Sequence, residues 1–232
     1  AGPGFAGARW GMSAPQTVTW MWNREGARTQ FDEAKCVMKE AEADNSGRLH
    51  GIVFPAQIDT VEEDMLRESI AYAGETGRPF TTHIALAGVE VREMIRRPGV
   101  TPIQWAASIG LLTPRSILGH AIFVDEHASI GWHTAKDIGL VADHGATVAH
   151  CPTPFARYGE HLKHFGKYRA RGVNMGFGTD CAPHNLIEEM RLAILLARNA
   201  VRDVAAADTG SVFHAATAGG ADALGRPDLG RL

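Results

Sequence analysis

Three features of the 232-residue sequence predict an α/β fold that forms part of a parallel barrel. Apolar runs of strand length alternate with amphipathic runs of helix length from about residue 31 onward. Ionisable side chains, His83, His120, His150 and Asp180, stand where successive apolar runs end. No G-x-G-x-x-G follows a strand-like run, which argues against a dinucleotide-binding doubly wound sheet. In a TIM-like (β/α)8 barrel the carboxyl ends of all strands share one face, and chemistry collects there. The expectation is a partial TIM-like barrel with about five C-terminal βα units.

Each element has its own warrant. Residues 1–30 are rich in Gly and Trp and show no clear period. Phe31, Ala34, Val37, Met38 and Ala41 share one face of a helix over 31–44. Residues 49–57 read as a short strand ended at Pro55, and 59–77 as a helix with acids in its first turn and Gly77 past its end. A strand over 78–86 precedes a helix over 100–112 that carries Pro102 in its first turn. The alternation continues with strands over 114–124, 145–152 and 173–180 and helices over 134–145, 160–172 and 185–201. A last helix covers 211–225.

Composition narrows the class. Hydrophobic residues make up 45% and charged residues 21%, with a formal charge of -3. These values exclude a disordered chain and a strongly basic nucleic-acid binder. No run approaches the roughly 18 apolar residues of a membrane span. The first residues lack the charged and apolar regions of a signal peptide. Cys36, Cys151 and Cys181 form no C-x-x-C pair, so a disulfide framework is not expected and the setting reads as reduced and cytoplasmic. Cys151 and Cys181 read as small buried apolar groups.

The 11 histidines are many for this length and point to chemistry. Neutral imidazoles and a carboxylate suit zinc or iron. Such a metal brings the pKa of water to roughly 7, and a second histidine or carboxylate moves the proton. The H-x-E with P-C-x-x-C signature of the other zinc-deaminase fold is absent. Arg157 follows an apolar run and could grip a polar substrate. Glu188 and Glu189 read as outward salt-bridging acids, and Trp20 and Trp22 as core indoles. His127, His133, His144, His161 and His164 read as exposed loop and helix positions.

The segments THIAL (82–86), SILGHAIFVDE (116–126), ATVAHCPTPFARYG (146–159), GFGTDCAPHNLIEEMR (176–191) and ATAGGADALGRPDLGRL (216–232) carry a resemblance. In this order they resemble the amidohydrolase superfamily, most of all its triazine hydrolase and nucleobase deaminase branch. The resemblance covers about residues 50–232. It implies a TIM-like barrel with a small β-sandwich. It also implies one divalent transition metal, Zn or Fe(II), held by an H-x-H pair on the first strand, a His on the fifth and an Asp on the eighth.

On this chain it makes His83 the fifth-strand ligand and Asp180 the eighth-strand ligand, which also takes a proton from water. His120 would orient the hydroxide or polarise the substrate, and the segments beginning at His150 and His184 would line the pocket. Family deaminases carry Glu three residues after the fifth-strand His, where this chain has Leu86. Glu90, on the first turn of the next helix, is the nearest candidate to carry the proton.

No H-x-H occurs in the chain, and the family's sandwich would resume just after GRPDLGRL. The expectation is therefore a piece of a longer protein. Residues 1–225 would be a partial barrel and 226–232 the start of a connection to a small β-sandwich. Roughly three βα units would precede it. The piece alone would be inactive and bind metal weakly.

The implied activity is C–N cleavage, by deamination or dealkylamination, on a small heterocyclic substrate. The implied whole protein is a homo-oligomer with no nucleic-acid or membrane partner. An amide-bond hydrolase of the dipeptidase or imidazolonepropionase type is an alternative, and would want a cationic carboxylate grip. A barrel that has lost its chemistry is another.

Overall fold

The computed structural model describes residues 5–14 and 17–231. The expected readings at residues 1–4, 15, 16 and 232 lie outside it. The stretch that showed no period begins with an antiparallel hairpin, β1 (Ala8–Ala14) and β2 (Thr17–Trp22). A two-stranded ribbon need not turn one face to a core, so it leaves little period-two signal. Helix α1 (Arg24–Ala43) starts earlier than its apolar spacing suggests, because Asn23 caps it by accepting the Gly26 N–H at 2.9 Å.

The heart of the molecule is a four-stranded parallel sheet in chain order: β3 (Phe80–Ile84), β4 (Ser116–His120), β5 (Thr147–His150) and β6 (Met175–Phe177). The run over 49–57 contributes a fifth, irregular edge. Val53 bridges Phe80 and Gln57 bridges His83, both in parallel. Pro55 between them has no N–H to donate, so the ladder is interrupted and no regular strand forms.

The connections follow the βα rhythm. Helix α2 (Glu63–Thr76) ends on Gly77 at φ 71°, as the sequence indicated. A helix that the periodicity did not reveal, α3 (Gly88–Arg96), follows β3. Next come α4 (Pro102–Ser108), capped by Thr101, and α5 (Asp137–Asp143). The short α6 (Pro152–Ala156) was also missed; its two prolines masked it. Helices α7 (Phe165–Ala170) and α8 (Leu186–Val201) come next, the second capped by Asn185.

The last expected helix is broken into α9 (Thr209–His214), a π-helical turn (Ala215–Gly219) and α10 (Gly220–Ala223). The turn presses against β6 so closely that a Cβ at Gly219 would collide with the Met175 carbonyl.

Phe80, Ile84, Leu118, Val148 and Met175 bring the strands into one core with Leu66, Ile103, Val141, Phe165 and Tyr168 from the helices. Strands covered on both faces read as near-continuous apolar runs, which is why these were found in the sequence. Among the described residues no helix is long and apolar enough to cross a membrane.

The strand ends are where the backbone departs from ordinary conformations. Ala85 (φ 51°), His120 (78°), Ala121 (45°), Asp180 (55°) and His184 (54°) are all left-handed without being glycine. Each costs about 1 kcal/mol or more, and such strain gathers where side chains must be aimed.

Candidate metal centre

His83 sits on β3, His120 ends β4, and Asp180 follows β6. One donor atom from each lies within 4.8 Å of the other two. The His83 and His120 rings are stacked, 9° from parallel with centroids 5.3 Å apart. Parallel pairing sets this geometry: His83 is opposite Gly119 and Ile84 is opposite His120. Glycine matters there, because a Cβ at residue 119 would lie 3.3 Å from His83 Cδ2.

His83 Nδ1 lies 2.5 Å from the Ala56 carbonyl on the irregular edge. A carbonyl only accepts, so Nδ1 carries the proton and Nε2 keeps the lone pair that could take a metal. His120 is 4% exposed, and its Nδ1 is buried with no hydrogen-bond partner among the described residues. Burial, with His83 as a lesser cause, holds its pKa down to about 3, so the imidazole is neutral, the ligand form. Two imidazoles and one carboxylate match the donor set and the protein-ligand count of catalytic zinc, and also suit iron(II). The residues fit the metal.

The sequence led to a two-ligand site; the fold brings His120 to the same cluster as His83 and Asp180. His150 ends β5 beside it, buried, with rings of Phe165 and Phe177 6.0 and 5.5 Å away. Burial first, then His120 and His161, hold its pKa down to about 3.

Glu90 is fully buried on the first turn of α3. One carboxylate oxygen accepts the Ala85 N–H at 2.7 Å and the other the Leu86 N–H at 2.8 Å. It thereby holds the backbone that directly follows His83. Burial, and then the nearby Asp59 carboxylate, push its pKa to about 8.

Asp59 went unnoticed in the sequence, where it reads as one of several acids opening a helix. It is fully buried, accepts the Trp20 indole N–H at 3.1 Å and has a second oxygen without a partner among the described residues. Burial raises its pKa as well.

A sequence profile of the amidohydrolase family matches residues 1–232. The chain belongs to the amidohydrolase family. A 5-methylthioadenosine/S-adenosylhomocysteine deaminase of Natronomonas pharaonis is 30% identical over 210 residues, covering 89% of this chain and 46% of the relative. A protein of the same name from Halobacterium salinarum is 32% identical over 205 residues, 87% of this chain and 45% of the relative. The chain thus spans about half the length of the curated relatives it matches.

Among solved structures, a zinc-bound adenosine deaminase from Xanthomonas campestris superposes with a TM-score of 0.75 at 23% identity, covering 92% of this chain and 46% of that one. The zinc complex of the chlorohydrolase TrzN from Arthrobacter aurescens gives 0.74 at 23% identity, covering 86% and 44%. These likenesses show the fold: the open parallel sheet is part of an amidohydrolase barrel.

The remaining candidates of this amidohydrolase chain cluster on the Asp180 loop. His184 is exposed, with Nδ1 3.0 Å from Thr179 Oγ1. Arg157 is exposed and donates to the Ala182 carbonyl at 2.7 Å, with Cys181 Sγ at 3.5 Å. Both are directed at the loop that presents Asp180. Cys151 is buried as expected, and burial pushes its thiol to about 12.

Several side chains differ from their sequence reading. Glu189 does not face outward; it is buried and accepts the Thr153 N–H at 2.8 Å, tying α6 to α8. Glu188 does pair outward, with Arg191. His127 and His164 are buried rather than exposed, 6.4 Å apart, because the loops after β4 and β5 fold onto each other. Trp22 is 39% exposed rather than core; the Arg97 guanidinium lies over it at 5.0 Å and over the half-buried Trp20 at 5.6 Å.

Proposed function

We propose that this chain carries the donor cluster of a metal-dependent aminohydrolase that removes an amino group from a heterocycle. The observation that carries the reading is the convergence of His83, His120 and Asp180 within 4.8 Å at the carboxyl ends of a parallel sheet. A zinc or iron(II) ion held by these three residues would supply Lewis acidity and make water a nucleophile at neutral pH.

The side chains divide the rest of the work. The Asp180 carboxylate accepts the proton of the attacking water and returns it to the departing amine. His120, neutral and buried, is the third donor, and as such would place the nucleophile against the ring carbon. His83 is aimed by its bond to the Ala56 carbonyl. Glu90 is a positioning residue whose carboxyl group holds the loop at Ala85 and Leu86. His150 closes the floor, and His184 and Arg157 shape the Asp180 loop.

The names of the relatives, deaminases of 5-methylthioadenosine and S-adenosylhomocysteine, support an amino-substituted purine as the substrate class. The reading includes a reduced, cytoplasmic setting, supported by three free cysteines. It places the end of the barrel segment at Gly225, just past α10, where φ turns positive at 67°. It also takes the whole protein to be a homo-oligomer.

The test is ammonia release from adenine-type nucleosides by the zinc-loaded whole protein, beside metal analysis of His83→Asn and Asp180→Asn. The expected result is release by the parent alone, with zinc falling below stoichiometry in both variants. Stoichiometric zinc in both variants would place the metal elsewhere and overturn the assignment.

A further inference from the structure

The donor cluster is flanked by phenyl rings. Phe54 lies against His83 with centroids 5.4 Å apart and planes at 63°. Phe155 lies against His120 at 4.6 Å and 62°. With the two imidazoles stacked between them, the rings run Phe54, His83, His120, Phe155. The phenyls come from separate elements, the irregular edge strand and α6, and reach the centre from its two flanks.

Both are half-buried, and Phe155 also packs against the core. Phenyl rings that serve the core alone, Phe80 and Phe165, are fully closed off. Phe177, also half-buried, adds apolar surface beside His150. The Arg157 guanidinium is turned to the Ala182 carbonyl.

We propose that Phe54 and Phe155 are specificity-determining residues. They wall the centre on two sides, admit a flat, uncharged, amino-substituted aromatic ring, and disfavour a substrate with a carboxylate beside the scissile bond. Phenyl rings favour a flat aromatic partner in offset or edge-to-face contact, and apolar walls with few polar groups select by shape. The inference rests on the aminohydrolase reading for its substrate, and it separates that reading from an amide hydrolase, which needs a cationic grip.

The probe is 2-aminopurine, a fluorescent flat heterocycle whose binding needs no turnover. Its affinity is measured with the zinc-loaded whole protein and with Phe54→Leu and Phe155→Leu, which keep apolar volume and lose the ring. The expected result is weakening by about tenfold in each variant, with zinc content and circular dichroism unchanged. On adenine-type nucleosides KM rises by a similar factor while kcat stays within about threefold, and Phe155→Tyr restores binding.

Unchanged affinity in both leucine variants overturns the proposal. So does a loss of affinity that tracks a loss of zinc, since the rings would then only pack the ligands. If the parent releases no ammonia but the variants still lose 2-aminopurine, the aminohydrolase reading falls and the walls stand. If the parent releases ammonia and the variants bind as it does, the walls fall and the reading stands.

Discussion

Replacing Glu90 by glutamine should change how stability depends on pH. The Glu90 carboxyl has its pKa raised from an ordinary 4.5 to about 8, first by burial and then by Asp59. A folded-state pKa above the unfolded value means that the folded chain binds more protons between the two. Stability therefore falls as pH rises from about 4.5 to about 8 and is level above that.

At about 1.4 kcal/mol for each pH unit, the separation corresponds to about 5 kcal/mol. Glutamine is the neutral isostere. Its single carbonyl can accept from Ala85 or Leu86, so it resembles the protonated acid. Urea unfolding of parent and Glu90→Gln across this pH range is the assay. The variant should gain on the parent by up to about 5 kcal/mol as pH rises. Glu90→Leu leaves both N–H groups unpaired and should lose about 2–6 kcal/mol at low pH. A parent–glutamine difference that is flat with pH would show that Glu90 ionises normally, and would refute the reasoning.

Two further outcomes follow from other positions. Gly119→Ala places a methyl 3.3 Å from both His83 Cδ2 and the Thr82 carbonyl. It should tilt His83 and weaken zinc by about tenfold or more for a stability cost of about 1–3 kcal/mol; competition with a chelator measures the first and thermal unfolding the second. Asp137 is fully buried, and burial, then Asp125, raises its pKa to about 6. The folded form again holds the extra proton, so this group lowers stability as pH climbs from about 4 to about 6, by about 3 kcal/mol. Asp137→Asn should remove that slope, which calorimetric melts at stepped pH would reveal; a slope retained in the variant would contradict the assignment.

Much of the fold was legible because parallel strands buried on both faces must be apolar throughout, and because Pro102 in a first turn and Gly77 past a helix end are local signatures. The hairpin of β1 and β2 was not legible, since a ribbon lying at the rim owes no period to a core. Helix α3 was hidden by its position between a strand and a second helix, and α6 by its prolines.

At the site, His83, His120 and Asp180 stood out as ionisable groups ending apolar runs. Glu90 was visible only as an acid near the start of a helix; its engagement with Ala85 and Leu86 depends on a loop reversal after β3. Asp59 offered no local sign, because its burial comes from Trp20 and Arg97, both distant in sequence.

Local chemistry thus wrote the order of strands and helices and the donors at the strand ends, and the resemblance of successive segments pointed to the family. Residue order alone left undetermined which nitrogen of His83 is left free by the Ala56 carbonyl, how close His120 comes, and which phenyl rings stand beside them. Those depend on register between neighbouring strands and on a carbonyl supplied by an irregular edge, contacts between residues far apart in the chain that exist only once the sheet has formed over its core.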